Sequence, residues 1–509
     1  MPNGNPSRDR ATRRSDLLAA AALALLSLAT MSGHLSSMDG LHMARQAESI
    51  ALHGSIPFHD PVWTWYPEPD RNGRYGIGLS LLYVPGMLLA APLAPLVPTS
   101  DVRPARQNEF YLRELYQDPL YTVGGSWVHA LVMAAAALMV ARLARALGAS
   151  PKAALWGLAF YGLGSSAGVY ARGDFAQPLE ALCWVAAFFA AVRLRRGEAD
   201  VAEAGSGRTS ERGLVAGLGT AVAYAIATRP LEGMLLGVAV AALLLPVAAA
   251  SERSRRGALR AWSPLLATGL GVALGVAVTL AVNHARYGSI WESGYPDDNG
   301  WVWPDASRLA GAFVSPARGL LWEFPAITLV PMGALLLWRR GARREVACAS
   351  FVVVALLANT ISWFMWWGGW CWGLRLMGPA LPLLAVAAGS ATDGLAGRMR
   401  VVLPLLLAAG VGWALPGMLT DILGGYGGLA DGHAASWKWA AWPPTGAWRF
   451  LHHAFPAHAL DAQCLDVLWV RLAPATGYWS LLVPALLVLA ASLLARKAWH
   501  ESTREQASA

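Results

Sequence analysis

Apolar runs of roughly 17 to 25 residues recur along this chain from Leu17 to Ala495, and each is long enough to cross the ~30 Å hydrocarbon core of a bilayer as a helix. In lipid, backbone polar groups must be hydrogen-bonded within the spanning segment, which favours α-helices for such runs. Only 14% of the 509 residues are charged, against about 25% in soluble domains. The sequence therefore predicts an all-α polytopic membrane protein.

We assign about twelve transmembrane helices to these runs, using span length and the distribution of basic residues. The predicted spans cover residues 17–35, 122–141, 153–169, 175–192, 213–228, 231–250, 262–282, 319–338, 346–362, 374–389, 401–419 and 478–495. The first run lacks a small-residue cleavage site, so we interpret it as a span and not as a signal peptide.

The basic residues then fall mainly on one side of the membrane. Short loops rich in Arg and Lys remain in the cytoplasm, so both termini are expected there, in a bacterial-type cytoplasmic (inner) membrane. The net charge of +8 would suggest nucleic acid in a soluble protein. In this chain the basic residues are distributed according to the side of the membrane, so we expect membrane lipids and no nucleic acid as partners.

This topology divides the chain into four segments. They are a cytoplasmic N-terminus (1–16), a transmembrane module (17–418), an outer segment (419–477) and a last span with its cytoplasmic tail (478–509). Within the module, outer loops 36–121 and 283–318 are large enough to carry interfacial helices. The run Ile77–Val97 could also cross, but a crossing would place basic loops outside, so we predict that it lies in the outer leaflet or re-enters.

The first outer loop begins with an amphipathic helix. From Asp39, polar side chains recur at steps of three and four residues, at Asp39, His42, Gln46, Ser49 and His53. A helix of this kind after a span is expected to lie flat on the membrane. Asp39 has two open roles: it caps the helix by accepting backbone N–H groups, or it is a general base or metal ligand facing a surface cleft.

A second polar cluster lies in Tyr170–Glu180, at the predicted outer ends of the third and fourth spans. Ionisable groups at this depth are costly and usually face a cavity or a partner. Asp174 is therefore either the ion-pair partner of Arg172 or a second acidic group of a catalytic site.

The run Trp366–Arg375 ends at the predicted entrance of the tenth span. The Arg375 guanidinium can hold a phosphate bidentately or extend to lipid headgroups. An interfacial aromatic belt accounts for most of the tryptophans, while Trp370 is a candidate for stacking on a sugar.

The order of the outer motifs resembles a known superfamily. Ser-x-Asp (37–39) is followed by YGIGLSLLYVP (75–85), YARxxFAxPL (170–179), ATRP (227–230), the motifs NHARYGS (283–289), ESGY (292–295) and SPARGL (315–320), and WWGG…GLR (366–375). This order is similar to that of the GT-C polyprenyl-phosphate-sugar glycosyltransferases, on the side of the protein O-mannosyltransferase-like and lipid A sugar transferases, over residues 17–390. The resemblance implies inverting transfer from a polyprenyl-phosphate-linked sugar donor to an envelope lipid, glycan or protein acceptor on the outer membrane face.

The resemblance also implies roles for residues. Asp39 matches the first-loop catalytic base, and basic residues hold the carrier phosphate, in some members with a divalent metal ion. Many members have an acidic residue where this chain has Gln177, so Asp174 is the second catalytic candidate. The candidates for substrate binding are Arg375, Arg74, Arg172, Arg286, His42 and Trp370.

Other classes of protein stay open. An envelope polysaccharide polymerase or ligase also uses lipid-linked sugars and large outer loops. A multi-span transporter would need a polar path across the membrane and often has internal repeats, and we find no repeat in this sequence. Because Gln177 departs from the family pattern, an inactive relative that serves as a scaffold is a further alternative.

Overall fold

The computed structural model describes residues 6–35, 37–57, 73–93, 124–173, 175–197, 207–250, 255–295, 300–420, 431–447 and 465–507. These residues form an all-helical structure, in which the β contact is an isolated bridge between Trp301 and Trp363. The all-α fold class is therefore confirmed.

The α-helices of the first half are α1 (Pro6–Ala29), α2 (Met38–His53), α3 (Gly78–Ala90), α4 (Val128–Ala146), α5 (Pro151–Gly162), α6 (Ser166–Tyr170), α7 (Gln177–Arg195), α8 (Gly207–Thr228), α9 (Pro230–Ala250) and α10 (Arg255–Tyr287). Those of the second half are α11 (Ala306–Val314), α12 (Leu320–Glu323), α13 (Val330–Arg339), α14 (Arg343–Ser362), α15 (Leu381–Ala391), α16 (Val402–Leu419), α17 (His433–Ser436), α18 (Leu468–Arg471) and α19 (Leu482–Ala507).

A helix lies at each position predicted to be a span. Among the described residues, six helices are long and apolar enough to cross a membrane: 128–146, 177–195, 262–287, 343–362, 397–419 and 479–507. Several others, such as α13 with 10 residues, are shorter than the ~20 residues that a crossing usually needs. A multi-pass membrane architecture follows, while the number of about twelve spans stays a prediction.

The first and last helices pack side by side. Arg145, near the end of α4, joins both of them, since it lies 2.8 Å from Asp16 and 3.3 Å from Glu505. The fold therefore brings the two ends of the described chain to the same side, as the predicted topology requires.

Helix α3 lies within the run Ile77–Val97. It contains 13 residues, with Pro85 inside it, and at 1.5 Å per residue its length is about 20 Å. This is short of the ~30 Å hydrocarbon core. The length of α3 agrees with a segment that does not cross fully, although its depth in the membrane stays a prediction.

Candidate active site

Ser37, and not Asp39, caps helix α2. The Ser37 backbone is extended, with φ −112° and ψ 154°, and its Oγ accepts the backbone N–H of Gly40 at 2.9 Å. The Asp39 carboxylate instead accepts a hydrogen bond from Arg375 Nη1 at 2.7 Å. The capping role left open for Asp39 by the sequence is therefore filled by its neighbour two residues earlier.

Helix α2 packs its polar face into the protein, and its position relative to the membrane surface stays a prediction. Its polar face is buried: His42, Gln46 and Ser49 are each at most 2% exposed. Gln46 Nε2 donates to Ile56 O at 3.1 Å, and Ser49 Oγ donates to Pro57 O at 2.7 Å. A helix lies at the predicted position. Its polar stripe faces protein because Gln46 and Ser49 form hydrogen bonds with backbone carbonyls of the loop that follows.

Arg375 is held on three sides. Its Nε donates to Gly368 O at 2.7 Å, its Nη1 donates to Asp39, and its Cζ lies 4.5 Å from the centre of the Phe175 ring. The two charged side chains are partly accessible, Arg375 at 15% and Asp39 at 19%. Arg375 therefore presents a fixed guanidinium to an opening, which is the arrangement that bidentate phosphate binding requires.

Buried charges position the loop before Arg375. Arg318 is fully buried and donates to the carbonyls of Gly369 at 2.8 Å and Cys371 at 2.5 Å. Glu323 is also fully buried and accepts the N–H of Leu374 at 2.6 Å. The sequence motifs at 315–320 and 366–375 thus form one unit. The roles of Arg318 and Glu323 were missed by the sequence analysis, although the charge of Glu323 inside the predicted span 319–338 was a signal.

Tyr75 completes the surroundings of Asp39. Burial alone would raise the pKa of Asp39, but the charge and hydrogen bond of Arg375 and a hydrogen bond from Tyr75 outweigh it and lower the pKa below its ordinary value. Burial, with the nearby Asp39 charge, raises the pKa of Tyr75 well above its ordinary value. At neutral pH, Asp39 is therefore an ionised carboxylate and Tyr75 a hydroxyl donor.

Two glycines bring Tyr75 to this position. A Cβ on Gly76 would meet the backbone oxygen of Thr228 at 2.1 Å, and one on Gly78 would meet Thr228 Oγ1 at 2.0 Å. The Tyr-Gly-Ile-Gly motif therefore packs backbone to backbone against the Ala-Thr-Arg-Pro turn between α8 and α9. Larger residues would push the Tyr75 loop away from this turn.

Further arginines surround the site. Arg74 lies over the Tyr295 ring, with 5.6 Å from Cζ to the ring centre. Arg286 donates to Tyr75 O at 2.8 Å and also to Gln46 Oε1. Arg229, in the Ala-Thr-Arg-Pro turn, is paired with Glu232 at 2.8 Å. Arg229 also lies 3.8 Å from Glu180, so its charge is compensated.

His42 lies one helical turn after Asp39, with its ring centre 5.7 Å from that of Tyr75. Burial lowers the pKa of His42 to about 4, despite the opposing effect of the Asp39 charge. His42 is therefore neutral at physiological pH. The structure thus brings together five of the predicted site residues, namely Asp39, His42, Arg74, Arg286 and Arg375.

Arg172 is not part of this cluster. Its guanidinium donates to Thr30 O at 2.6 Å, to Gly417 O at 2.7 Å and to the Asp466 carboxylate at 3.1 Å. It is 5% exposed. Arg172 joins the ends of α1 and α16 to the segment before α18, which is a structural arrangement, and its predicted substrate role stays a prediction.

The remaining predicted residues are not placed at the site. Trp370 is 37% exposed in the loop that Arg318 holds, and its predicted role in stacking on a sugar stays a prediction. Asp174 lies outside the described residues. Its predicted role as a second acidic group, and its alternative as a partner of Arg172, therefore stay predictions.

The described residues do not fit a metal ion at this site. Within the described ranges, no group of three or more His, Cys, Asp or Glu side chains is arranged to hold one. Divalent Mg²⁺ or Ca²⁺ would need several oxygen ligands, whereas Asp39 is bonded to a guanidinium and faces further arginines.

The fold is similar to that of solved membrane proteins. The crystal structure of apo ArnT from Cupriavidus metallidurans aligns with a TM-score of 0.52 and 15% identity, over 96% of this chain and 76% of that one. ArnT bound to undecaprenyl phosphate aligns with a TM-score of 0.47 and 14% identity, over 95% and 76%. AglB from Archaeoglobus fulgidus, an oligosaccharyltransferase in complex with an inhibitory peptide and a dolichol-phosphate, gives 0.47 and 12%, over 84% and 56%.

No protein-family model and no curated protein sequence matches the chain. The similarity to apo ArnT nevertheless shows that the fold is of the ArnT kind, while membership of the GT-C superfamily stays a prediction from the order of motifs. An identity of 15% leaves the chemistry to be argued from the site itself.

Proposed function

We propose that this protein is a membrane glycosyltransferase that moves a sugar from a polyprenyl-phosphate donor to an acceptor hydroxyl of the cell envelope. The observation that carries the proposal is the Asp39–Arg375 pair, with 2.7 Å between Oδ2 and Nη1, at an opening bordered by arginines. It combines a proton acceptor with a phosphate-binding cation. The ArnT-like fold supports it, and ArnT itself has been solved with undecaprenyl phosphate bound.

In the proposed transfer reaction, Asp39 and the arginines have separate roles. The acceptor oxygen forms a bond to the anomeric carbon while its proton moves to Asp39. The bond between that carbon and the phosphate oxygen breaks, and its electron pair leaves with the lipid phosphate. Arg375 and Arg74 stabilise the developing negative charge on the leaving group. Attack opposite the leaving group inverts the anomeric configuration.

The neighbouring residues support these tasks. Tyr75 hydrogen-bonds Asp39 and keeps the carboxylate oriented. His42 is neutral and buried, so it adds no charge that would draw the proton or the phosphate away. Phe175 covers one face of the Arg375 guanidinium and shields it from water, which strengthens its interaction with an anion.

We further propose that the reaction takes place at the outer face of the cytoplasmic membrane. The basic loops predict that both termini are cytoplasmic. The Asp39 end of the fold, in the loop after α1, then lies outside. A lipid-linked donor keeps its tail in the bilayer and presents its sugar at that level, where α2 and the Arg375 loop meet.

The test is a comparison of cell-envelope glycans between a deletion strain and its parent. We expect one glycan modification to disappear in the deletion strain and to return with the parental gene. The Asp39→Asn gene should not restore it, because the loss of a general base lowers a rate roughly 10²–10⁴-fold. Asn keeps the size of Asp39, and Glu48→Gln, which removes a carboxylate from the same helix, serves as the matched control.

An unchanged glycan profile in the deletion strain would reject the glycosyltransferase proposal. Full restoration by the Asp39→Asn gene, at parental protein level, would reject Asp39 as the base and leave the enzyme class standing. Membrane fractions should be checked for equal amounts of each variant, so that an unfolded protein is not counted as an inactive one.

A further inference from the structure

The three nitrogens of the Arg375 guanidinium differ in the hydrogen bonds that they donate. Its Nε donates to Gly368 O and its Nη1 donates to Asp39, both at 2.7 Å. No hydrogen bond from Nη2 is found within the described part of the chain. Phe175 covers one face of the guanidinium. Nη2 therefore keeps its donors for a ligand, and the Nη1 beside it on the end of the guanidinium is already bonded to Asp39.

A phosphate would need the same Nη1–Nη2 edge of the guanidinium. Phosphate groups bind the guanidinium fork through two parallel N–H···O bonds, and the other edge is not available because Nε is bonded to Gly368. Two anions placed on one edge repel each other. Asp39 and a bound phosphate thus compete for Arg375.

The pair also weakens Asp39 as a base. A carboxylate next to a guanidinium holds a proton poorly, and the pKa of Asp39 lies below its ordinary value because the attraction of Arg375, together with its hydrogen bond and that of Tyr75, outweighs the effect of burial. Asp39 is most useful as a proton acceptor once this neighbour is neutralised by another anion.

We propose that the phosphate of the lipid donor displaces Asp39 from Arg375, and that this exchange releases Asp39 to accept the acceptor proton. The inference rests on the proposed function, since it concerns the same two residues. Tyr75 keeps its hydrogen bond to Asp39 and retains the carboxylate in the site after the exchange. The base is therefore activated only where a donor phosphate is seated, and the donor binds before the acceptor reacts.

The experiment measures the binding of undecaprenyl phosphate to the purified protein in phosphatidylcholine nanodiscs. Asp39→Asn should bind it roughly tenfold or more tightly than the parent. The reason is that Arg375 no longer has a charged hydrogen bond to residue 39 that the phosphate must replace. Arg375→Ala should bind it more weakly than the parent by a similar factor.

Glu48→Gln is the matched control for charge. Glu48 lies on the same helix, pairs with Arg45 at 2.9 Å, and is 21% exposed against 19% for Asp39. Its substitution removes one negative charge without freeing Arg375, so the affinity should stay near the parental value. A thermal unfolding curve for each variant checks that the protein is folded.

Unchanged or weaker binding by Asp39→Asn would overturn the exchange, as would equal tightening by Glu48→Gln. If neither the parent nor Asp39→Asn binds undecaprenyl phosphate, the proposed donor class fails together with the exchange. If Asp39→Asn binds more tightly and still transfers sugar, the exchange stands and the base role of Asp39 fails. The two proposals can therefore fail separately.

Discussion

The hydroxyl of Tyr170 and the backbone of Trp372 exchange two hydrogen bonds: Tyr170 donates to Trp372 O at 2.5 Å and accepts from Trp372 N at 3.1 Å. Both residues are buried. One tyrosine at the end of α6 therefore fixes the loop that ends in Arg375.

Tyr170→Phe should destabilise the protein by roughly 1–3 kcal/mol, because it leaves both polar groups of Trp372 without that partner. Arg375 should then be less well positioned, and binding of undecaprenyl phosphate should weaken. Thermal unfolding in detergent and the nanodisc binding assay measure the two effects. Tyr161→Phe, at a buried tyrosine of α5, is the control, and parental behaviour of Tyr170→Phe would show that the loop does not need this pair.

Gly78→Ala should impair activity, because the added Cβ would overlap Thr228 Oγ1 at 2.0 Å and push the Tyr75 loop from its turn. Sugar transfer in membranes and thermal unfolding are the measurements. Gly213→Ala is the control, since a Cβ there meets nothing within 4 Å and alanine is the better helix former. Equal effects of the two substitutions would contradict the close packing of the Tyr-Gly-Ile-Gly motif.

Arg172→Gln should unfold the protein or lower its stability by roughly 3–5 kcal/mol, because it removes one partner of a buried ion pair. We expect low yields and an early thermal transition. The pair Arg308 and Asp305, in which Asp305 is 60% exposed, offers a contrast, since Arg308→Gln breaks a pair more open to solvent. A stable Arg172→Gln protein with weakened donor binding would restore Arg172 as a substrate ligand.

His42→Gln should reduce the loss of stability in acid. The pKa of His42 is about 4 in the folded protein, lowered from 6.5 by burial, so between these values the unfolded chain binds a proton that the folded chain does not. Stability from this source is complete above about pH 6.5 and is lost as the pH falls towards 4.

The difference between the folded and unfolded pKa values of His42 corresponds to about 3 kcal/mol in the free energy of unfolding. Unfolding curves from pH 7 to pH 4 measure this loss. His53→Gln, which removes an exposed histidine from the same helix, is the control. An acid response of His42→Gln identical to that of the parent would mean that His42 is not the group responsible.

Reporter fusions after Arg196, Arg256 and Arg340 should all report a cytoplasmic location, because basic loops remain inside. A periplasmic signal at any of them would invert the predicted topology around that loop. It would also place the Asp39 site on the inner face if the inversion included α1.

The sequence predicted the helices and several of the residues that the structure gathers around Asp39, but it could not pair them. Asp39 and Arg375 are 336 positions apart, and no local pattern relates residues at that separation. The cap considered for α2 was Asp39, and the structure places Ser37 there, a residue type that caps about as well as aspartate. Arg172 and Arg375 also looked alike in the sequence, because both lie at the predicted outer ends of spans. They differ in the backbone carbonyls that the fold brings to each guanidinium, and these contacts depend on the tertiary structure.

The fixation of the Arg375 loop by Arg318 and Glu323 has a consequence for the response to bilayer thickness. The loop is anchored to fully buried charges of the protein. In a thinner or thicker membrane, a helix bundle adapts by tilting or by deforming the nearby lipid, while Asp39 and Arg375 would keep their separation. Hydrophobic mismatch should therefore change how easily a lipid donor reaches this opening and leave the geometry of the pair unaltered.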